Sequence, residues 1–126
     1  MPTISPTYAD IVDTQGGAGT VGKIVTWGPM ANGDTGSPVP QNLVEFSDRS
    51  FQVEGTFGTG GALLVEGSND KSNFRTVNNI NGLAISITSA GIQQVTVVCA
   101  QQRPHVNAGD TTTSLTVTAV LRRMTR

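Results

Sequence analysis

Along much of this chain apolar and polar residues alternate one for one, and glycine-rich turns cut the alternation into short runs. Phe51, Val53, Gly55 and Phe57 fall on one side of an extended backbone, while Gln52, Glu54 and Thr56 fall on the other. A period of two marks a half-buried β-strand. After Gly58-Thr59-Gly60-Gly61 a second run covers 62–66 and turns at Gly67-Ser68-Asn69-Asp70, so the two runs read as a central β-hairpin. The same grammar continues downstream. Leu83, Ile85 and Ile87 alternate with Ala84, Ser86 and Thr88. In 94–100, Val95, Val97 and Cys99 share one side and Val98 takes the other. In 112–122, Leu115, Val117, Ala119 and Leu121 point inward and Thr116 and Thr118 outward.

Upstream, the β-branched run 23–27 reads as a strand ended by Gly28-Pro29. Residues 30–41 read as a loop, with turn signals at Asn32-Gly33-Asp34 and Gly36-Ser37-Pro38. A strand follows at 42–46, a short edge strand at 72–77, and an extended stretch from Arg103 through Pro104 and His105 to Val106. About seven to nine strands with a turn every eight to twelve residues predict a sandwich or barrel. No stretch sustains a helical period, and the connections are too short for parallel crossovers. The expected fold is all-β: an antiparallel, jelly-roll-like β-sandwich over 21–126, preceded by an extended arm over 1–20.

The arm carries Pro2 and Pro6, which remove backbone donors, and the joint Gln15-Gly16-Gly17-Ala18-Gly19. Its apolar anchors are Ile4, Tyr8, Ile11 and Val12. Such an arm either packs on its own domain or adds a strand to a neighbour's sheet edge. Contacts between subunits, with little contribution to the domain's own core, are the expectation.

Composition narrows the function. The chain has 126 residues, enough for one domain with a real core. Charged residues make up 13% and the net charge is −1, which gives no electrostatic pull toward nucleic acid or an anionic membrane. Low charge also gives little protection against association, as suits a subunit of an assembly. The lone Cys99 excludes an internal disulfide framework. No apolar run is long enough to span a bilayer, and the first residues carry no signal-peptide pattern, so synthesis in a cytoplasm without processing is expected.

Candidate chemistry is sparse. Gly17 to Lys23 spells G-x-x-x-x-G-K, but Ile24 stands where a Ser or Thr should hold magnesium, and a β-branched run replaces the helix. His105 is the only histidine and Cys99 its only soft companion, and Cys99 lies among valines as a buried, inert thiol would. Glu54 and Glu66, on facing strands of the hairpin, form the best carboxylate pair, yet one Trp and one Tyr supply little for sugar stacking. Asp48, Asp70 and Asp110 sit in turns, where bonding to the backbone explains them, and 67–70 is too poor in acidic ligands for calcium. Arg122, Arg123 and Arg126 form a terminal basic cluster without interleaved aromatics. No enzyme activity, cofactor or metal is expected.

Val53-Glu54-Gly55-Thr56-Phe57-Gly58, Gly67-Ser68-Asn69-Asp70, Arg103-Pro104, Gly109-Asp110-Thr111-Thr112, Leu115-Thr116-Val117-Thr118 and Arg122-Arg123 together resemble small virion proteins of tailed bacteriophages. The resemblance is to head decoration, or cement, proteins and covers about residues 50–123. Lys71 and Phe74 depart from it, where a glycine and a tryptophan are common. It implies a structural protein on the outer capsid surface that clamps capsomers together. The implied partners are the major capsid protein and further copies of the chain, as a homodimer or homotrimer. Candidate contact residues are Ile4, Tyr8, Ile11, Val12, Trp27, Met30, Arg122 and Arg123. The alternative is a tail or fibre-associated module that binds a receptor or glycan, with Trp27 and Tyr8 as the stacking aromatics.

Overall fold

The computed structural model describes residues 3–13, 19–39, 48–97 and 99–122. Its strands are β1 (Thr3–Ile4), β2 (Thr7–Asp13), β3 (Gly19–Met30), β4 (Thr35–Gly36), β5 (Asp48–Thr56), β6 (Ala62–Ser68), β7 (Arg75–Thr76), β8 (Ser86–Ile87), β9 (Gly91–Val95), β10 (Gln101–Asn107) and β11 (Ser114–Arg122). No helix occurs among the described residues. One sheet runs β1-β4-β10-β6-β7, with β8 also paired to β6, and the other runs β2-β3-β11-β5-β9. Every pairing is antiparallel except β1 with β4.

The pairings nest. β3 pairs with β11, β4 with β10, β5 with β9, and β6 with β8. The chain from β3 onward is therefore one long two-stranded ribbon, closed between β6 and β8 and rolled up so that successive stretches lie in alternate sheets. Rolling brings β11 against β5 and β10 against β6, which completes a jelly-roll sandwich.

This topology corrects the central hairpin. β5 and β6 lie in different sheets, and 57–61 is the corner between them. Alternation states which side of a strand is apolar; it does not state which strand lies alongside. The inward residues are as the alternation predicts: Phe51, Val53, Leu115, Val117, Ala119 and Leu121 are all buried. They meet Leu63, Val65, Ile87 and Val106 of the other sheet. Trp27 stacks on Phe51 with ring centroids 6.0 Å apart, and its Nε1 donates to Ser37 O at 2.9 Å. Each such side chain contributes about 1.5–3 kcal/mol by leaving water. Arg49 enters the core at one end, where its Nη1 donates to Gln102 Oε1 at 3.2 Å and Gln102 Nε2 donates to Val97 O at 3.1 Å. Burial lowers the pKa of this guanidinium from its ordinary value, an effect that the nearby Cys99 opposes.

The N-terminal segment is extended, as expected, but it belongs to its own sandwich. β2 pairs with β3 from Thr7↔Thr26 to Asp13↔Gly19, and β1 pairs with β4. Ile4 packs on the core, and its carbonyl accepts the Ser37 N–H at 2.8 Å. A boundary after residue 20 would cut β3, which begins at Gly19. Pro6 lies between β1 and β2, where the chain crosses from one sheet to the other and needs no ladder donor.

Three further expectations shift. β4 lies inside the loop read at 30–41, and β9 ends at Val95, leaving Val97 exposed and Cys99 half-buried. Leu83 is exposed although Ile85 and Ile87 are buried. The strand read at 42–46 lies outside the described residues, as does Val98.

Candidate functional site

The contact residues read from sequence separate into a buried group and a surface group. Trp27 and Met30 are fully buried, so neither reaches a partner or a glycan in the folded chain. Both face inward on β3, opposite Val117 and Leu115, and the Gly28-Pro29 bulge between them keeps both on the core side. Ile4 likewise faces its own core.

Tyr8, Ile11 and Arg122 remain near the surface. Tyr8 stands on β2 opposite Val25 and is 49% exposed; partial burial raises its phenol above the ordinary pKa. Ile11 and Arg122 both stand opposite Gly22 on β3. A Cβ at Gly22 would lie 3.3 Å from Ile11 Cδ1 and 3.2 Å from Arg122 Cγ, so the missing side chain lets these two close over the strand. Val12 pairs with Thr20 beyond a register shift in β2. Arg123 lies outside the described residues. The Lys23 ammonium pairs with the Asp10 carboxylate on the same edge.

The pairs weighed for chemistry come apart. Glu54 is on β5, where it accepts from Gln52 Nε2 at 3.2 Å; Glu66 is on β6 in the other sheet. Cys99 packs beside Gly67, whereas His105 sits on the opposite face of that sheet beside Glu66. Gly22 and Lys23 lie within β3 and no helix follows them. Among the described residues no three His, Cys, Asp or Glu side chains gather as a metal site. Asp70 accepts from Ser68 Oγ, Ser72 N, Asn73 N and Asn73 Nδ2 at 2.8–2.9 Å. These bonds, led by those from Asn73, hold its carboxyl well below the usual range.

The structure assembles a cluster that sequence reading missed. On the outer face of the first sheet, Arg103 Nε donates to Glu66 Oε1 at 2.9 Å and His105 Nδ1 donates to Glu66 Oε2 at 3.0 Å. A carboxylate only accepts, so the proton of this contact is on Nδ1. The Arg103 guanidinium lies 4.0 Å from the centroid of the Phe74 ring. Arg103 and His105 sit two apart on β10, a spacing visible in the sequence; their acceptor is visible only from the β10–β6 register. Apart from this cluster, a cavity of about 370 Å³ is lined by Ser68, Asn69, Asn73, Arg75, Asn78 and Cys99 among others.

Exposed apolar side chains collect elsewhere. Ile80, Leu83, Ile92 and Val97 are 80%, 66%, 60% and 40% exposed, and all belong to the stretch around β8 and β9. Among the described residues Tyr8 is the other large exposed apolar residue, at the opposite edge of the β9 sheet. No family model, curated protein or solved structure matches the chain.

Proposed function

We propose that this chain is a head decoration protein of a tailed bacteriophage, which binds the outer surface of the shell and holds neighbouring capsomers together. The sequence resemblance over residues 50–123 supplies the role. The structural observation that supports it is the β2 edge. Among the described residues this strand pairs only with β3; it carries the exposed Tyr8 and the half-buried Ile11, and the exposed Arg122 lies beside Ile11 over Gly22. Tyr8 lies on the face of its partner Val25, and Ile11 lies with Arg122 on the other face over Gly22; tyrosine and arginine are among the residue types that carry binding energy at protein interfaces. Open main-chain groups along β2 can add to a strand of the major capsid protein.

The role requires positioned surface and no reacting group. The fibre-associated alternative loses Trp27, whose ring is in the core. The test is co-sedimentation of the purified chain with phage heads assembled without it. The full-length chain should pellet with heads, and Tyr8→Lys should remain in the supernatant while keeping its circular dichroism. A folded wild-type chain that never pellets with heads contradicts the role.

A further inference from the structure

We infer that β9 is a self-pairing edge, through which two copies of this chain join their β2-β3-β11-β5-β9 sheets into one continuous sheet about a two-fold axis. The inference stands independently of the capsid role.

An exposed sheet edge offers a row of unpaired N–H and C=O groups, and proteins that stay monomeric blunt it with charge, proline or shortness. The other edges are short or carry charge. β1, β7 and β8 are two residues each, and Pro6 follows β1. β2 carries a charged pair, Asp10 with Lys23 of β3, on its edge. β9, Gly91-Ile92-Gln93-Gln94-Val95, has no charge and no proline, and among the described residues it pairs only with β5.

The sequence around β9 is uncharged as well; the charges beside it in the fold are Arg49, opposite Val95, and Arg122, which lines a cleft with Arg49 and Gln94. Between Arg75 and Arg103 the sequence has no charged residue, although charged residues are 13% of the chain. That uncharged stretch displays Ile80, Leu83, Ile92 and Val97. Ile80 is held beside the strand, since a cleft of about 250 Å³ is lined by Asn79, Ile80, Asn81, Gln93, Gln94 and Thr96. Its turn is fixed: Asn79 Oδ1 accepts the N–H groups of Asn81 and Leu83 at 2.9 and 3.2 Å, and Asn79 N donates to Leu83 O at 2.7 Å.

These features select a second copy as the occupant. Two neutral strands meet without like-charge repulsion. Antiparallel pairing of a strand with its own copy is isologous, so the assembly closes as a dimer rather than growing into a fibre. Five residues of ladder are a small interface, so Ile80, Ile92 and Val97 supply the apolar surface that a stable dimer needs. Dimerisation here leaves both β2 edges free at the far ends of the joined sheet, where one dimer can hold two sites at once.

The experiment is analytical ultracentrifugation of the full chain over a concentration series, with Ile92→Lys, Gln94→Lys and Tyr8→Lys, each checked by circular dichroism. The wild type and Tyr8→Lys should reach the mass of two chains. Each lysine on β9 should raise the dissociation constant by about tenfold or more, because the two-fold brings both copies of the charge close to the axis. Hydrogen exchange on the wild type is the second readout, with β9 amides slowing as concentration rises. A wild type that stays at one chain mass, a trimer, a dimer that survives both β9 lysines, or β9 exchange independent of concentration would overturn the inference. A monomer whose β9 amides slow only on shell binding would assign the edge to the capsid protein.

Discussion

The Asp110 carboxylate accepts the main-chain N–H of Thr59 at 2.9 Å and so ties together two loops far apart in sequence. Thr59 lies in the corner between β5 and β6, and Asp110 lies in the turn between β10 and β11. Thr112 adds its Oγ1 and its N–H to Asp110 Oδ1 at 2.5 and 2.8 Å, and Thr113 Oγ1 donates to Phe57 O at 2.9 Å. One carboxylate thus closes an end of the rolled ribbon where the chain changes sheets.

The bonds from Thr112 and then Thr59 lower the Asp110 pKa from 3.8 to about 2. A depressed carboxylate contributes stability that is fully present above its unfolded value and lost as pH falls through its folded value. Thermal unfolding followed between about pH 5 and pH 2 should therefore show a falling melting temperature, with Asp70 contributing in the same direction. Asp110→Ala should melt earlier at neutral pH and show a shallower acid limb. An unchanged limb in Asp110→Ala would place the acid sensitivity elsewhere.

Register in β11 is tested by two lysines. Val117 is fully buried against the core, so Val117→Lys should cost about 4 kcal/mol or more and unfold the chain. Thr116 is exposed and stands opposite Glu54, so Thr116→Lys should change stability by about 0.5 kcal/mol or less. Chemical denaturation of both variants decides the matter, and equal effects would mean that the strand is shifted by one residue.

Gly36 on β4 packs tightly against Pro104 of its own sheet and Trp27 of the other. A Cβ there would lie 2.6 Å from Pro104 Cγ and 2.7 Å from Trp27 Cδ1. Gly36→Ala should therefore destabilise by about 1–3 kcal/mol through overpacking. The near-ultraviolet circular dichroism of the chain's single tryptophan should change with it. A variant as stable as the wild type, with the same spectrum, would show that the sheets do not meet there.

Deleting residues 1–13 should lower the melting temperature. It removes β1 and β2, strips the ladder from one side of β3, and takes Ile4 from the core. The sequence alone favours the opposite outcome, a detachable arm, because Pro2, Pro6 and the glycine joint resemble a linker. Differential scanning calorimetry of the shortened chain separates the two, since an unchanged melting temperature restores the detachable arm.

What was legible in the sequence follows a physical rule. Alternation along one strand states which side chains are inward, and Leu115, Val117, Ala119 and Leu121 are buried as read. Partnership between strands depends on contacts that no local pattern encodes. That is why β5 and β6 look like a hairpin, and why the sequence pairs Glu66 with Glu54 rather than with Arg103 and His105. Trp27 and Met30 beside Gly28-Pro29 look like a strand end facing a partner; the bulge carries β3 on to Met30 and keeps both inside. The charge-free stretch between Arg75 and Arg103 is plain in the sequence, but that it forms the sheet edge β9 follows only from the fold.

The decoration role is tested most directly by a cryo-electron microscopy reconstruction of phage heads incubated with the chain. The account predicts regular density on the outer surface that fits the jelly-roll sandwich, with the β2 edges against neighbouring capsomers and β9 at a two-fold between copies. Bare shells at saturating protein, or density confined to the tail, would contradict it.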